Sequence, residues 1–315
     1  MKTPQIGITL GDPGGIGPEI IIKAFSLKSL LPKAHYVLFG SSHVIEKEKE
    51  SLGVKFPSSS LSFFEIEVSL KTIKKGAPSK ENGKASFLFF KKAVEEARKG
   101  TIQALVTAPI SKQSWTLAEL EWAGHTDFLS QLYPKAIMAF WSEKLKVALL
   151  SHHLPLKIAL GKIKKKDLLD FFFLLHEHLG KIQNKKYHFL VSGLNPHAGE
   201  EGLLGSEEIE EILPALKVAQ NKGMRISGPF PPDVVFRNAI NQPDSIVIAL
   251  YHDQGLIPFK LLSFEKGVNI TLGLPFVRTS PDHGTAFDIA GKGIANPQSM
   301  VEAINLAYDL SKPSS

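Results

Sequence analysis

Ile246-Val247-Ile248-Ala249-Leu250-Tyr251-His252-Asp253 is the stretch on which the reading of this chain turns. Its apolar run is short and unbroken, the pattern of a strand buried on both faces of a parallel sheet. A histidine follows the run directly. The same arrangement recurs in Val147-Ala148-Leu149-Leu150-Ser151-His152-His153 and in Phe189-Leu190-Val191-Ser192-Gly193-Leu194-Asn195-Pro196-His197. Open α/β sheets collect ligands just beyond the carboxyl ends of such strands. Three imidazoles delivered to one rim can form a metal site with open coordination positions.

Outward from these runs, strand-like and helix-like segments alternate, which predicts an α/β fold. Gln5–Leu10 reads as a strand, and Pro18 opens a helix to about Phe25. His35–Phe39 is a strand, Lys84–Lys99 a helix stopped by Gly100, and Leu105 and Val106 end a strand leading into Thr107-Ala108-Pro109. Lys166–Leu179 is an amphipathic helix ended by Gly180, with Phe171, Phe172 and Phe173 packing in the core. Ser206–Lys222 is a helix capped by Ser206 and kinked or broken at Pro214. Val268–Leu272 is a strand, and Pro297–Ser311 forms the last helix. Arg278–Thr285 is too polar for a plain strand and points to function. Disorder is expected at Pro57–Ser60 and in the tail from Pro313.

The 315 residues allow one large α/β unit or two domains sharing a cleft. With 43% hydrophobic and 22% charged residues, the composition is that of a soluble globular protein. Cysteine is absent, which excludes disulfides, iron–sulfur clusters, thiolate metal sites and cysteine nucleophiles. No stretch approaches the ~20 apolar residues of a membrane span. Met1–Gln5 leads into a strand pattern without a signal peptide's apolar region, so a cytoplasmic enzyme is expected. The net charge of +6 suits nucleic acid, a membrane surface or a small anionic substrate. The lysine clusters Lys71–Lys75 and Lys162–Lys166 are short and lack interleaved aromatic residues, so they read as solvated faces with no nucleic-acid partner.

Of the eleven histidines, His35, His43, His176, His178 and His188 read as structural or surface residues. His176 and His178 stand two apart and diverge on a helix. His153, His197 and His252 lie in polar segments after strands, where binding residues concentrate. Read alone, they fit either a shared metal or ordinary loop histidines. Asp253 and Asp233 are candidate further ligands, or partners that fix an imidazole tautomer. His152 competes with His153 for the ligand role.

The glycine-rich block GDPGGIGPE at 11–19 joins the first strand to the first helix. Such a turn suits phosphate, yet it matches neither G-x-G-x-x-G nor the P-loop. A tight turn packed beside a cleft explains it equally well. Lys260, Asn269 and Arg278 flank the Val268–Leu272 strand and can bind a phosphate or carboxylate. The alternative is a surface lysine and an ordinary ion pair.

Together these motifs resemble the 4-hydroxythreonine-4-phosphate dehydrogenase family of pyridoxal phosphate biosynthesis, nearly end to end. The markers are GDPGGIGPE at 11–19, VTAPISK at 106–112, GHTDFL at 124–129, HLPL at 153–156, GLNPHAGEEGLLGSEE at 193–208, YHDQGLIPFK at 251–260 and VNITLGLPFVRTSPDHGTAFDIAGKG at 268–293. The block from His283 to Pro297 is also similar to the adenine-side loop of isocitrate and isopropylmalate dehydrogenases. The resemblance implies two α/β/α subdomains with a cleft between them, residues 1–130 plus 260–315 and residues 131–259, and a homodimer with the site at the interface. It implies that His153, His197 and His252 bind one divalent metal (zinc, cobalt, magnesium or manganese). It assigns His125, Thr126, Lys260, Asn269 and Arg278 to a small phosphorylated substrate; the candidates for the general base are Lys260, an aspartate near the metal such as Asp253, and a water chain. His283, Gly284, Asp288 and Asn296 are assigned to NAD or NADP.

The implied reaction is oxidation of 4-phosphooxy-L-threonine to 2-amino-3-oxo-4-phosphooxybutanoate, which decarboxylates to 3-amino-2-oxopropyl phosphate. Gly14, His152, Val234 and Val235 depart from the family pattern, which commonly has alanine at the first, and threonine at the second and after Asp233. The Gly14 change is small, whereas those at His152 and at Val234 and Val235 keep phosphothreonate or phosphoerythronate open as substrate. A metal-dependent lyase or phosphohydrolase is the reading from another class.

Overall fold

Apolar runs become the strands, and most of them are buried as their composition requires. The computed structural model describes residues 3–54, 61–182, 185–240 and 242–312, so the disorder expected at 57–60 and in the tail from Pro313 lies outside the described residues. In chain order the strands are β1 (Gln5–Thr9), β2 (His35–Gly40), β3 (Leu61–Glu65), β4 (Ala104–Thr107), β5 (Ile137–Trp141), β6 (Lys146–Leu149), β7 (His188–Ser192), β8 (Ile226–Phe230), β9 (Ser245–Ala249), β10 (Val268–Leu272) and β11 (Val277–Pro281).

The chain divides into two compact units, one ending at Pro134 and resuming at Leu274, the other spanning Lys135–Gly273. The return falls later than the expected residue 260, because β10 pairs antiparallel with β5 inside the second unit.

In the first unit the strands run β3-β2-β1-β4-β11. All are parallel, as βαβ crossovers demand. Helix Gly17–Ser26 follows β1, with Pro18 in its first turn. Helix Lys80–Lys99 begins before the expected Lys84, because the Ser79 hydroxyl accepts from the Asn82 amide at 3.1 Å. Gly100 stops it at φ 75°. Phe90, Ala93, Val94, Leu105, Trp115 and Leu129 form this unit's core.

The β11 segment corrects the sequence expectation: Val277–Pro281 is a strand and every residue in it is buried. Its polar side chains find partners far along the chain. Thr279 donates to the Ala303 carbonyl at 2.8 Å, and Arg278 donates to the Thr107 hydroxyl at 2.6 Å. Buried polar groups are tolerated when bonded in this way.

The second unit carries β10-β5-β6-β9-β7-β8. β5 and β6 form an antiparallel pair, whereas β6, β9, β7 and β8 are parallel neighbours. The three strands that end in the candidate histidines are therefore adjacent, and their carboxyl ends share one rim. Ile246, Val247, Ile248 and Ala249 are fully buried.

Two helix boundaries here differ from expectation. Gly180 lies inside helix Lys165–Ile182. Buried Leu175 and Leu179 hold the last turns, and a helical glycine costs only about 1 kcal/mol. The segment expected to kink at Pro214 is a π-helical turn, Glu208–Ile212, leading into α-helix Leu213–Asn221. Pro214 sits in the first turn of the α part, where its missing N–H is harmless. Among the described residues no helix is long and apolar enough to cross a membrane.

Candidate active site

Helix His252–Ser263 starts directly beyond β9, so His252 occupies its first turn. The imidazole Nδ1 lies 2.6 Å from Asp253 Oδ1. Donation from Nδ1 to that carboxylate leaves the Nε2 lone pair outward, the form a metal ligand needs. The His153 ring lies 5.6 Å from the His252 ring, between centroids. His153 itself has φ 50°, a left-handed conformation uncommon outside glycine. His152 stacks edge-on against His153 at 5.2 Å, and its Nδ1 is buried without a partner among the described residues. Burial, and secondarily the charge of His252, hold the His152 imidazole below its usual range.

His197 is placed differently. It begins a run of five left-handed residues, His197 to Glu201, with φ between 42° and 83°. Its side chain is 71% exposed, and its Nδ1 lies 3.7 Å from Glu200 Oε2. Among the described residues no cluster of three or more metal-ligating side chains is gathered. The chain thus brings His153 and His252 together, with His197 on the neighbouring strand's loop.

Two residues that sequence reasoning passed over hold this rim. Gln254 is buried; its Oε1 accepts from the Leu250 amide at 2.7 Å, and its Nε2 donates to the Gly193 carbonyl at 2.8 Å. It ties the end of β9 to the end of β7. Glu208, also buried, accepts from the amides of Leu194 and Asn195 at 2.7 and 2.8 Å and from Asn195 Nδ2 at 2.9 Å. It pins the loop that carries His197. Both sit inside motif blocks quoted above, and that membership was their only signal.

Lys260 lies on the His252–Ser263 helix, its ammonium 6.0 Å above the Phe264 ring. Asn269 is on β10 opposite Phe140 of β5. Both belong to the second unit.

In the first unit, His125 and Thr126 open helix His125–Leu132. His125 is buried against Phe90, with ring centroids 4.3 Å apart, and Trp115, at 5.8 Å. Its Nδ1 lies 3.3 Å from an Arg278 guanidinium nitrogen. Burial, reinforced by that cation, holds the imidazole pKa well below 6.5. The ring is therefore neutral near pH 7. With Nδ1 accepting from arginine, Nε2 carries the proton. That buried N–H has no partner among the described residues and offers a donor to an oxygen ligand. Burial pushes Arg278 down to about 10, so it stays cationic. A buried guanidinium beside a neutral imidazole donor, at a helix N-terminus, suits an anionic group.

The glycine-rich block resolves toward its packing reading. The Asp12 amide donates to Pro109 O, Gly15 to Asp12 O and Ile16 to Thr285 O, while Gly14 donates to the Asp12 carboxylate. These amides are engaged within the protein. A Cβ on Gly14 would lie 2.2 Å from the Lys74 carbonyl, and one on Gly17 2.3 Å from that of Leu10. Close backbone approach, not a phosphate, accounts for Gly17.

The segment carrying His283, Gly284, Asp288 and Asn296 runs over the surface of the first unit. His283 Nδ1 lies 3.1 Å from the Gly284 carbonyl, and Asn296 Oδ1 accepts from the Gln298 amide at 2.9 Å. Gly284, Asp288 and Asn296 are exposed, and space in front of Gly284 is open. Ile294 presents an exposed apolar side chain beside them. A carboxylate, an amide and an exposed apolar side chain suit the ribose hydroxyls and base of a dinucleotide.

Comparison with known proteins places this geometry in context. A family model described as pyridoxal phosphate biosynthetic protein PdxA matches residues 30–307. A 4-hydroxythreonine-4-phosphate dehydrogenase of Aquifex aeolicus is 41% identical, with 97% of this chain and 98% of that protein covered. A protein of Halalkalibacterium halodurans, provisionally named D-threonate 4-phosphate dehydrogenase, is 39% identical over 97% of this chain and 96% of its own. Among solved structures, the 4-hydroxythreonine-4-phosphate dehydrogenase of Klebsiella pneumoniae superposes with a TM-score of 0.87 at 34% identity, covering 99% of both chains.

Proposed function

Since the chain belongs to the family of the pyridoxal phosphate biosynthetic protein PdxA, a dehydrogenase family, we propose that it oxidises 4-phosphooxy-L-threonine at its C3 hydroxyl with NAD or NADP. The product, 2-amino-3-oxo-4-phosphooxybutanoate, is a β-keto acid that loses CO2 to give 3-amino-2-oxopropyl phosphate. The observation that carries the reading is the buried Arg278–His125 pair, a cation and an unpartnered N–H donor prepared for a phosphorylated ligand.

In this proposal His125, Thr126, Arg278, Lys260 and Asn269 hold the substrate, with the phosphate remote from the reacting carbon. Remote binding fixes the alcohol for hydride transfer. His153, His252 and His197 hold one divalent metal, and Asp253 keeps His252 in the tautomer that exposes Nε2. When bound, that ion supplies a Lewis acid that lowers the pKa of the substrate hydroxyl. Lys260 and Asp253 are the groups proposed to move the hydroxyl proton, and the C3 hydride leaves for the dinucleotide held by His283, Gly284, Asp288 and Asn296. The proposal includes a cytoplasmic location and a homodimer. Ile257, Leu261 and Phe264, spaced for one helix face, are 61%, 83% and 73% exposed on the helix that begins with His252, and a second copy would cover them.

A second reading keeps the chemistry and replaces the substrate with D-threonate 4-phosphate. The 39% identity to the protein so named supports it, as does half-exposed Val234 in place of a family threonine. The test is dinucleotide reduction, followed by NADH or NADPH absorbance, with each phosphorylated acid in the presence and absence of chelator. Faster turnover of 4-phosphooxy-L-threonine, abolished by chelator, is expected. Preference for the threonate ester would select the second reading. Phosphate release or cleavage without dinucleotide would overturn both in favour of a lyase or phosphohydrolase.

A further inference from the structure

The glycine-rich block 11–19 grips one segment from both ends, and that segment carries the proposed dinucleotide residues. At the near end the Ile16 amide donates to Thr285 O at 3.0 Å, and a Cβ on Gly15 would fall 2.9 Å from Thr285. At the far end the Ala295 amide donates to Glu19 Oε1 at 2.8 Å. Glu19 is fully buried and pairs with Lys23, one turn further along the same helix, at 2.8 Å. The Lys23 ammonium also donates to the carbonyls of Gly293 and Ala295, both at 2.8 Å. Lys75 adds a lateral support: it donates to Gly15 O at 3.1 Å, and its stem lies 3.5 Å from where a Cβ on Gly291 would sit.

A fully buried carboxylate needs a reason, because burial disfavours its charge, and the helix around Glu19 is itself largely buried. Here it joins a lysine and a backbone amide into one clamp. Thr285 and Gly293–Ala295 are fixed, and the exposed turn between them, with Asp288, is held open to solvent. Without the clamp, that turn would have to be ordered by each dinucleotide that binds.

We infer that Glu19 and Lys23 are positioning residues for dinucleotide binding, and that the glycine-rich block serves as the anchor of segment 285–295. The inference rests on the proposed dinucleotide role of that segment. Neither side chain touches the ligand; both raise the fraction of protein whose segment is already arranged to receive it. Apparent affinity falls in proportion to that fraction, so a loop ordered one-tenth of the time binds roughly tenfold more weakly.

The test uses the full chain with Lys23→Met, which removes the clamp's cation from a partly exposed position, and Lys23→Arg as the rescue. Titration of NADH and NADPH by fluorescence, without substrate, gives the dissociation constant. Lys23→Met is expected to raise it roughly tenfold and to raise the KM for the oxidised dinucleotide. The KM for the phosphorylated acid should stay near wild type, the thermal midpoint should fall because the buried Glu19 carboxylate loses its cation, and Lys23→Arg should restore both binding and midpoint. Hydrogen exchange in segment 285–295 should accelerate in Lys23→Met alone. Unchanged dinucleotide affinity, or equal weakening toward both ligands, overturns the inference. Asp288→Ala and Asn296→Ala separate it from the reading beneath it. If they weaken dinucleotide binding while Lys23→Met does not, the clamp fails alone; if they leave binding intact, the assignment of the segment fails and the clamp with it.

Discussion

Replacing His125 with Asn removes an imidazole that the first unit keeps neutral, and the consequence is a change in how stability depends on pH. In the unfolded chain this imidazole titrates near 6.5, whereas burial and the Arg278 cation hold it well below that in the folded protein. Below pH 6.5 the unfolded state therefore binds a proton that the folded state refuses. Stability rises with pH wherever the unfolded state binds more protons, so the contribution is present above 6.5 and lost as the solution turns acid. While the folded imidazole stays neutral the loss is ~1.36 kcal/mol per pH unit, or roughly 2 kcal/mol between about pH 7.5 and 5. Asparagine can still accept from Arg278 but does not titrate. The wild-type advantage over His125→Asn should therefore shrink by that amount across the range, other titrating groups cancelling in the difference. Urea unfolding read by tryptophan fluorescence suits the measurement, because Trp115 lies 5.8 Å from His125. Trp141, in the second unit, is replaced by Phe in both proteins to keep the signal local. A wild-type-minus-variant difference that is flat with pH would refute the burial argument and the neutral tautomer drawn from it.

Arg278→Lys keeps the charge and loses the planar guanidinium, whose one nitrogen serves both Thr107 and His125; the KM for the phosphorylated substrate should rise by about 10-fold or more, with the dinucleotide KM unchanged. Asp253→Asn should lower affinity for the divalent metal by about 10–100-fold, read by calorimetric titration, with thermal stability near wild type. Gln254→Ala strands the buried Leu250 amide, while the Gly193 carbonyl keeps the Ser192 hydroxyl at 3.0 Å, so chemical denaturation should show a loss of about 1–3 kcal/mol.

Sequence reading reached the strands that end in His153, His197 and His252 because unbroken apolar runs are a local signal. It also reached Gly100 as a helix stop, where the residue itself supplies the left-handed conformation. It failed at β11, where Arg278 and Thr279 look too polar for a strand until Thr107 and Ala303 are brought beside them. The same lack of local signal hid Gln254, whose job is to join the ends of two strands, and Glu19, whose partners lie at the other end of the chain. Gly180 misled because its weak helix propensity was outweighed by the packing of Leu175 and Leu179. The candidate site was legible as a set of motifs, whereas its pairings were set by chain topology. His197 stands on a left-handed backbone run, a feature that residue types alone do not encode.

That run inverts the usual scale of substitutions. From His197 to Glu201 the chain traces the mirror image of an ordinary helical turn, and only Gly199 is at ease there. Each L side chain in such a conformation costs about 1–2 kcal/mol. In a mutational scan, glycine at Ala198, Glu200 or Glu201 should raise thermal stability, the reverse of what glycine does in an ordinary helix, and β-branched residues should lower it most. A preference map with the sign reversed over a few positions would mark this loop in sequence data alone, and would show that the protein tolerates an opposite handedness in order to present one histidine.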